Sequence, residues 1–141
     1  MSTLQFRNPV ESKSMIVRLS DYFQYHEFAC PCCGVALMDD ELVIALDHLR
    51  DIFGGPLTIV SGYRCDQHNL KLKGAAPNSY HKLGKAVDLN ITQFNGDKLM
   101  KLIWAAMGDY TSKGIARFKG FGMGGNTFHL DVRTIPTAWT Y

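Results

Sequence analysis

The chain has 141 residues, of which 46% are hydrophobic and 20% are charged. These proportions are those of an ordinary soluble globular protein, and the length suits one domain with a single core. Fifteen Lys and Arg against thirteen Asp and Glu leave a net charge of +2. Phosphate binding requires a concentrated basic face, so nucleic acid is not an expected partner.

The first twenty residues, MSTLQFRNPVESKSMIVRLS, lack the apolar core of a signal peptide. The segment is interrupted by Arg7, Pro9, Glu11 and Lys13. No run in the chain approaches the roughly eighteen apolar residues of a membrane span. We therefore expect a monomer made in the cytoplasm, without stable membrane insertion. Residues 1–18 are expected to form a loose N-terminal tail, with an edge segment as the alternative for residues 1–14, ahead of one domain at 19–141.

Four cysteines are divided between a CPCCG segment and a position further along the chain: Cys30, Cys32, Cys33 and Cys65. In a cytoplasmic chain such a group indicates metal binding or free thiols before disulfides. Cys30 and Cys33 alone have CxxC spacing, although the complete C-x-C-C pattern is not standard. Three interpretations stay open: a closed structural zinc site with four cysteine ligands, disulfides formed after release into an oxidising exterior, or buried thiols.

The first predicted helix covers residues 39–53. Acidic residues at its start can cap the first turn and suit the positive end of the helix dipole. Apolar residues recur at helical spacing in one stripe: Leu42, Leu46, Leu49 and Phe53. Gly54, Gly55 and Pro56 end the helix. Residues 57–61 then predict a strand, and residues 66–72 a short helix.

A loop is predicted for residues 73–84, and it leads into the strand KAVDLNI at 85–91. Polar and aliphatic residues alternate along this strand, which places Asp88 on the face opposite the aliphatic side chains. Asn95 can cap a second helix that continues to about residue 110. Its predicted buried residues are Leu99, Ile103 and Met107.

The C-terminal part predicts a β-hairpin. Strands at 118–123 and 128–133 flank a Gly-Gly-Asn turn, whose residues readily supply positive φ. Alternation in the second strand places His129, Asp131 and Arg133 on one face. Strands without regular helical crossovers predict an α+β domain, a small antiparallel sheet flanked by helices.

Three of these polar residues form a candidate metal site. His81 lies seven residues before Asp88, on the loop that feeds its strand, and His129 lies on the polar face of another strand. If the two strands are neighbours, two imidazoles and one carboxylate converge. This is the ligand set of a hydrolytic zinc site, in which the metal lowers the pKa of water and polarises the scissile carbonyl. Taken singly, each residue is more typical of a satisfied core or surface position.

Three segments in order resemble the M15 peptidases. Residues 79–88, SYHKLGKAVD, resemble the SxHxxGxAxD motif of that family; SGYR at 61–64 with Asn69 resembles its SGYR…N segment; and FHLD at 128–131 resembles its closing HxD-like strand. The similarity extends from about residue 23 to residue 139. The family contains zinc D-Ala-D-Ala carboxypeptidases, phage endolysins of L-alanoyl-D-glutamate type and relatives of the hedgehog signalling domain. The resemblance implies a hedgehog/DD-peptidase-like single domain with Zn²⁺ held by His81, Asp88 and His129.

The same resemblance implies roles for further residues. Arg64 would face the substrate carboxylate or the developing oxyanion, a task that suits a bidentate guanidinium; the alternative is a surface salt bridge. Ser79 would be a substrate-side hydroxyl, or else a loop serine that caps its own backbone. Gly84 would provide a turn that needs a residue without Cβ.

The general base is where the sequence departs from several relatives. Those place an acidic residue three positions before the last histidine, or a second histidine two positions before it. Here these positions hold Asn126 and Thr127, and neither accepts a proton. Asp131 is the nearest carboxylate, since two strand residues span roughly 6.5–7 Å. It could activate the water or orient His129, and the base is the role we predict.

The resemblance thus predicts a zinc peptidase that hydrolyses bonds next to D-amino acids in peptidoglycan stem peptides. Without a signal peptide, it would be a phage or prophage lysis enzyme that acts on the cell wall after release. The alternative is a catalytically silent zinc-binding module of the same fold. Asn126 favours the silent module, whereas Asp131 and Arg64 argue for the enzyme.

Overall fold

The computed structural model describes residues 3–6 and 19–141. In chain order the elements are β1 (Thr3–Phe6), a 3-10 helix (Tyr25–Glu27), β2 (Ala36–Asp39), α1 (Asp40–Phe53), β3 (Ile59–Ser61), α2 (Asp66–Lys71), a second 3-10 helix (Tyr80–Leu83), β4 (Ala86–Asn90), α3 (Gly96–Met107), β5 (Gly120–Gly124), β6 (Thr127–Asp131) and β7 (Thr137–Thr140). The predicted α+β class is confirmed. The part of the predicted tail at 1–2 and 7–18 lies outside the described residues.

Five strands form the main sheet in the order β3-β4-β6-β5-β7. The pairs β3–β4, β4–β6 and β5–β6 are antiparallel, as the sequence predicted, whereas β5 and β7 are parallel. The sequence did not predict β7. The segment after β6 passes the start of β5, so that Thr137 pairs with Gly120 and β7 runs in the same direction as β5. The sheet is therefore mixed.

A second, two-stranded sheet joins β1 to β2 in antiparallel register, from Thr3 opposite Asp39 to Phe6 opposite Ala36. The segment Thr3–Phe6 is thus an edge strand, the alternative considered for the tail, and not a loose end. Its backbone pairs with groups that would otherwise form an open edge of β2.

The first long helix confirms the sequence prediction closely. Asp39 caps α1 by accepting a hydrogen bond from the backbone N–H of Glu41 at 2.9 Å, and Gly54 ends it with φ +77°. The residues that α1 buries include the whole predicted stripe: Leu42, Val43, Ala45, Leu46, Leu49 and Phe53. This face covers the aliphatic side of the sheet, where Val87 and Leu89 of β4 and Phe128 and Leu130 of β6 complete the core.

The buried face of α3 differs from the prediction. Asn95 caps the helix as expected, by accepting from Lys98 N–H at 3.1 Å. Its buried residues are Leu102, Ala105 and Ala106, whereas Met107 is 48% exposed and Leu99 and Ile103 are only partly buried. The small alanines let α3 approach α1, and this contact rotates the helix away from the face that its larger side chains indicated.

The helix α3 also ends at Met107, earlier than predicted. Among the described residues, none of the helices has the length and apolar composition needed to cross a membrane.

Candidate metal centre

Strand pairing brings two of the predicted ligands together. In the β4–β6 ladder, Asp88 lies directly opposite His129. The neighbouring positions Val87, Leu89, Phe128 and Leu130 point into the core, so alternation turns Asp88 and His129 to the other face of the sheet. The condition on which the sequence argument depended, that these strands be neighbours, is met.

The third predicted ligand, His81, lies on the 3-10 helix Tyr80–Leu83. Ser79 caps this helix, since its Oγ accepts a hydrogen bond from His81 N–H at 3.2 Å. Gly84 ends it with φ +70°, and a Cβ at Gly84 would lie 2.2 Å from the carbonyl oxygen of Leu37. Both the left-handed backbone and the close approach require glycine here. This confirms the conformational role predicted for Gly84 and identifies a backbone-capping role for Ser79.

Ligand atoms of His81, Asp88 and His129 all lie within 4.8 Å of one another. His81 Nδ1 donates to the carbonyl oxygen of Gly62 at 2.7 Å, so its Nε2 carries the lone pair. That Nε2 is buried without a hydrogen bond and lies 3.3 Å from Asp88 Oδ1. A lone pair that faces a carboxylate oxygen calls for a cation between them. The residues therefore fit a metal, and a set of two imidazoles and a carboxylate suits Zn²⁺.

The two ring nitrogens of His129 face different carboxylates. Nδ1 lies 3.0 Å from Asp88 Oδ1, on the side of His81, and Nε2 lies 2.8 Å from Asp131 Oδ2. Burial alone would lower the pKa of His129, but the hydrogen bonds with Asp131 and Asp88 outweigh it and raise the pKa. With Nε2 turned to Asp131, Nδ1 is the nitrogen available to the metal site.

Asp131 is fully enclosed, with 0% of its surface exposed. Besides His129 it accepts hydrogen bonds from Arg133, at 3.1 Å from the backbone N–H, 2.8 Å from Nε and 2.6 Å from Nη2. Burial would raise its pKa, but these donors hold the pKa down at about 2. Both carboxylate oxygens thus have hydrogen-bond donors. Asp131 and Asp88 contact opposite ring nitrogens of His129, so the imidazole lies between the two carboxylates.

Arg64 lies against Asp88 and not on the open surface. Its Nη2 is 3.1 Å from Asp88 Oδ2, its Nε donates to Ser61 Oγ at 3.1 Å, and its Nη1 lies 3.5 Å from Asn69 Oδ1. Burial would raise the pKa of Asp88, but its close contacts with the imidazoles of His129 and His81 hold the pKa well below its usual range. Arg64 occupies one oxygen of Asp88, which leaves Oδ1 for the side of the two histidines.

An open cleft of about 840 Å³ lies over these residues. Its lining includes the three candidate ligands, Arg64 and Ser79, the loop 72–76, the turn after β5 and two aromatic residues of the C-terminal segment, Trp139 and Tyr141. A peptide could enter such a cleft and reach the metal site, since His129, 6% exposed, lines it.

Arg133 and Trp139 had no role predicted from the sequence. Arg133 lies 4.9 Å from the centre of the Trp139 ring, and this ring lies 5.0 Å from that of His129. The signal for Arg133 was present, because alternation had placed it on the same face as His129 and Asp131. Nothing in the local sequence around Trp139 predicted that β7 returns to the site.

Alternating glycines in β5 make room for these side chains. A Cβ at Gly120 would lie 2.0 Å from the Asp131 carboxylate, and one at Gly122 would lie 2.5 Å from the Trp139 ring. The two positions are the strand partners of Asp131 and His129 respectively. Because these two positions of β5 have no side chain, Asp131 and Trp139 can pack directly against its backbone.

The four cysteines lie outside the residues that line the cleft. Sulfur atoms of Cys30, Cys33 and Cys65 lie within 4.8 Å of one another, and Cys32 is exposed. All four are free thiols in the structure.

The fold and the site together define an α+β domain with a candidate metal centre of two histidines and one aspartate, beside an open cleft. The family model described as Peptidase M15 matches residues 21–131, which include every candidate ligand. The chain belongs to the peptidase M15 family, as the motifs predicted. A search of curated proteins found no match. Membership of this family supports peptidase activity and implies a peptide substrate.

Proposed function

We propose that the protein is a zinc-dependent peptidase that hydrolyses bonds next to D-amino acids in peptidoglycan stem peptides. The observation that carries zinc dependence is the buried, unpaired Nε2 of His81, which faces Asp88 and His129 across less than 4.8 Å. The choice of peptidoglycan depends on the resemblance of the SYHKLGKAVD and SGYR segments to M15 enzymes that cleave stem peptides. A role as a phage or prophage lysis enzyme, acting on the cell wall after release, is proposed on the same ground.

His81, Asp88 and His129 would hold the ion. Zn²⁺ in such a site supplies Lewis-acid polarisation of the scissile carbonyl and a water of lowered pKa. Two of these ligands are held by contacts on the side away from the proposed ion. The carbonyl oxygen of Gly62 accepts a hydrogen bond from His81, and the guanidinium of Arg64 donates one to Asp88. Such outer contacts orient the ligands and set which ring nitrogen is free.

For Asp131 we propose the second of the two roles that the sequence left open, orientation of His129. Its contact with His129 Nε2 fixes the proton on that nitrogen and leaves Nδ1 for the metal. Its enclosure, its four hydrogen bonds and its pKa of about 2 argue against proton transfer to a substrate in the cleft.

Arg64 is the proposed anchor for the substrate carboxylate or the developing oxyanion. The contact of Nη1 with Asn69 is at the long limit for a hydrogen bond, 3.5 Å. This nitrogen can therefore exchange Asn69 for a substrate oxygen at little cost, while Nη2 stays on Asp88. Ser79 lines the cleft beside it, and a substrate contact for its hydroxyl is part of the same proposal.

One observation favours the alternative, a catalytically silent zinc-binding module. Among the described residues that line the cleft, Asp88 is the carboxylate-bearing side chain, and we assign it to the metal. No separate carboxylate general base is therefore identified in the part of the cleft wall that the structure describes. Both functions require zinc binding, but only the peptidase requires turnover.

Digestion of purified peptidoglycan, with the products identified by mass spectrometry, tests the proposal. The zinc-loaded protein should release products cut next to a D-amino acid, and a chelator should stop the reaction. His81→Ala and His129→Ala should lose this zinc and the activity together. His26→Ala is the matched control, because His26 is exposed and outside the cleft lining.

Full activity in either ligand variant would refute the metal assignment. Zinc binding without any product, on several types of peptidoglycan, would instead identify the silent module.

A further inference from the structure

The sulfur atoms of three cysteines converge at a place separate from the cleft. Cys30 and Cys33 belong to the turn that precedes β2, and Cys65 caps the start of α2. The Cys30 and Cys65 sulfurs are 3.7 Å apart. Four sulfurs arranged as a tetrahedron around Zn²⁺ at about 2.3 Å lie about 3.8 Å from one another. The 3.7 Å separation of these two sulfurs matches the spacing of two ligands of one such ion.

The backbone of the turn directs Cys30 and Cys33 to the same side. Gly34 adopts φ +75°, its N–H donates to Cys30 O at 2.7 Å, and Cys30 N–H donates to Val35 O at 2.7 Å. These hydrogen bonds close the CPCCG segment into a compact loop and bring the sulfur atoms of Cys30 and Cys33 close together.

Backbone N–H groups point at two of the sulfurs. His68 N–H donates to Cys65 Sγ at 3.4 Å, and the backbone of Val35 bonds to Cys33. A donor aimed at sulfur stabilises the thiolate, the form that binds metals. Burial would raise the pKa of Cys65, but the His68 N–H and the neighbouring cysteines outweigh it and lower the pKa.

A disulfide accounts for the cluster less well. It would join two sulfurs at about 2.05 Å and leave the third at the same place without a partner. The thiols are free, and Cys30 is fully buried.

We propose that Cys30, Cys33 and Cys65 bind a second, structural Zn²⁺, with Cys32 as the fourth ligand. Cys32 is exposed and is not one of the three residues whose sulfurs lie within 4.8 Å of one another, but it adjoins Cys33 in the same turn. Binding replaces four thiol protons by one ion and leaves a net charge of about −2 on the site. The ammonium group of Lys71, in the last turn of α2, acts on Cys32 and partly balances that charge.

This second site would help to position the cleft residue Arg64 through backbone contacts. Cys65 directly follows Arg64, whose N–H donates to His81 O at 3.2 Å, and Tyr63 N–H donates to Phe28 O at 2.8 Å. An ion bound to both Cys30 and Cys65 fixes the CPCCG loop to the start of α2. Arg64 is thereby held beside Asp88, and the site's role is structural and not catalytic.

The metal content of the full chain, purified under reducing conditions with zinc, tests the assignment. We expect two zinc ions in the wild-type protein and one in His81→Ala/His129→Ala. The remaining ion, exchanged for Co²⁺, should show intense thiolate-to-cobalt charge-transfer absorption in the near ultraviolet. This readout does not require the cysteine variants to fold, and it is independent of the proposed peptidase activity.

Cys30→Ser/Cys65→Ser should lose the zinc ion of the cysteine site and keep the zinc ion of the cleft. This variant should also unfold at a lower temperature. Cys32→Ser should retain the ion with affinity weaker by about tenfold or more. Absence of the charge-transfer absorption in the histidine variant would overturn the second site, as would an intact mass lighter by the two hydrogens of a disulfide. Unchanged affinity in Cys32→Ser would overturn the fourth ligand.

Discussion

Asp131→Asn removes a buried charge and leaves the side-chain shape unchanged. Asp131 now accepts three hydrogen bonds from Arg133 and one from His129 Nε2. An amide has one accepting oxygen and one donating nitrogen, so it cannot serve all of these donors. If the oxygen stays with Nε and N–H of Arg133, the amide nitrogen faces His129 Nε2. The imidazole proton then moves to Nδ1, the nitrogen that faces Asp88.

The size of the effect follows from these contacts. Losing the acceptor behind a ligating histidine weakens metal binding by about 10–100-fold. A hydrogen bond to a charged group contributes about 1.5–3 kcal/mol. The side chain of Arg133 is 18% exposed, so water replaces part of what it loses. We therefore expect the free energy of unfolding to fall by about 1–3 kcal/mol.

Zinc affinity from chelator competition and turnover at saturating zinc together provide the assay. We expect Asp131→Asn to bind zinc more weakly and to recover most of its turnover in excess zinc. Asp47→Asn is the control, since Asp47 lies on α1 and bonds to Ser20, and it should change neither quantity. Normal affinity with turnover lower by roughly 10²–10⁴-fold would refute the orienting role and make Asp131 the general base. Normal values of both would reject both roles.

Two further changes test the surroundings of the metal centre. Arg64→Lys keeps the charge but loses the planar guanidinium that contacts both Asp88 and Ser61, so turnover should fall by about 10²-fold with zinc still bound. Arg50→Lys on α1 is the control. An unchanged rate in Arg64→Lys would exclude an anchoring role. Gly122→Ala places a Cβ 2.5 Å from the Trp139 ring, so thermal or denaturant unfolding should show a loss of about 1–3 kcal/mol. Gly96→Ala, with open space around it, should show none; equal stability of the two variants would contradict the close packing of β7.

The sequence predicted those features that depend on local periodicity. The buried stripe of α1 has one clear apolar face, and alternation in β4 and β6 separates the aliphatic side from Asp88 and His129. Together with the three motifs, this was enough for the candidate ligands to be predicted and for the family to be identified correctly.

Features that depend on tertiary contacts were missed. Apolar residues surround much of α3, so its own pattern could not show that the face with Leu102 and two alanines would meet α1. The strand β7 is short, and its pairing with β5 is set by the path of the chain after β6. Alternation placed Asp131 near His129 but could not show which ring nitrogen it would contact.

The direct pairing of Asp88 with His129 links the proposed metal binding to strand register. A shift of β6 by one residue would place Phe128 or Leu130 opposite Asp88 and turn the imidazole into the core. A misregistered sheet therefore cannot assemble the ligands. An ion at about 100 times its dissociation constant would favour the native register alone by about 2.7 kcal/mol. Zinc supplied during refolding should thus raise the yield of correctly paired sheet, because the ion discriminates between strand registers before any substrate is present.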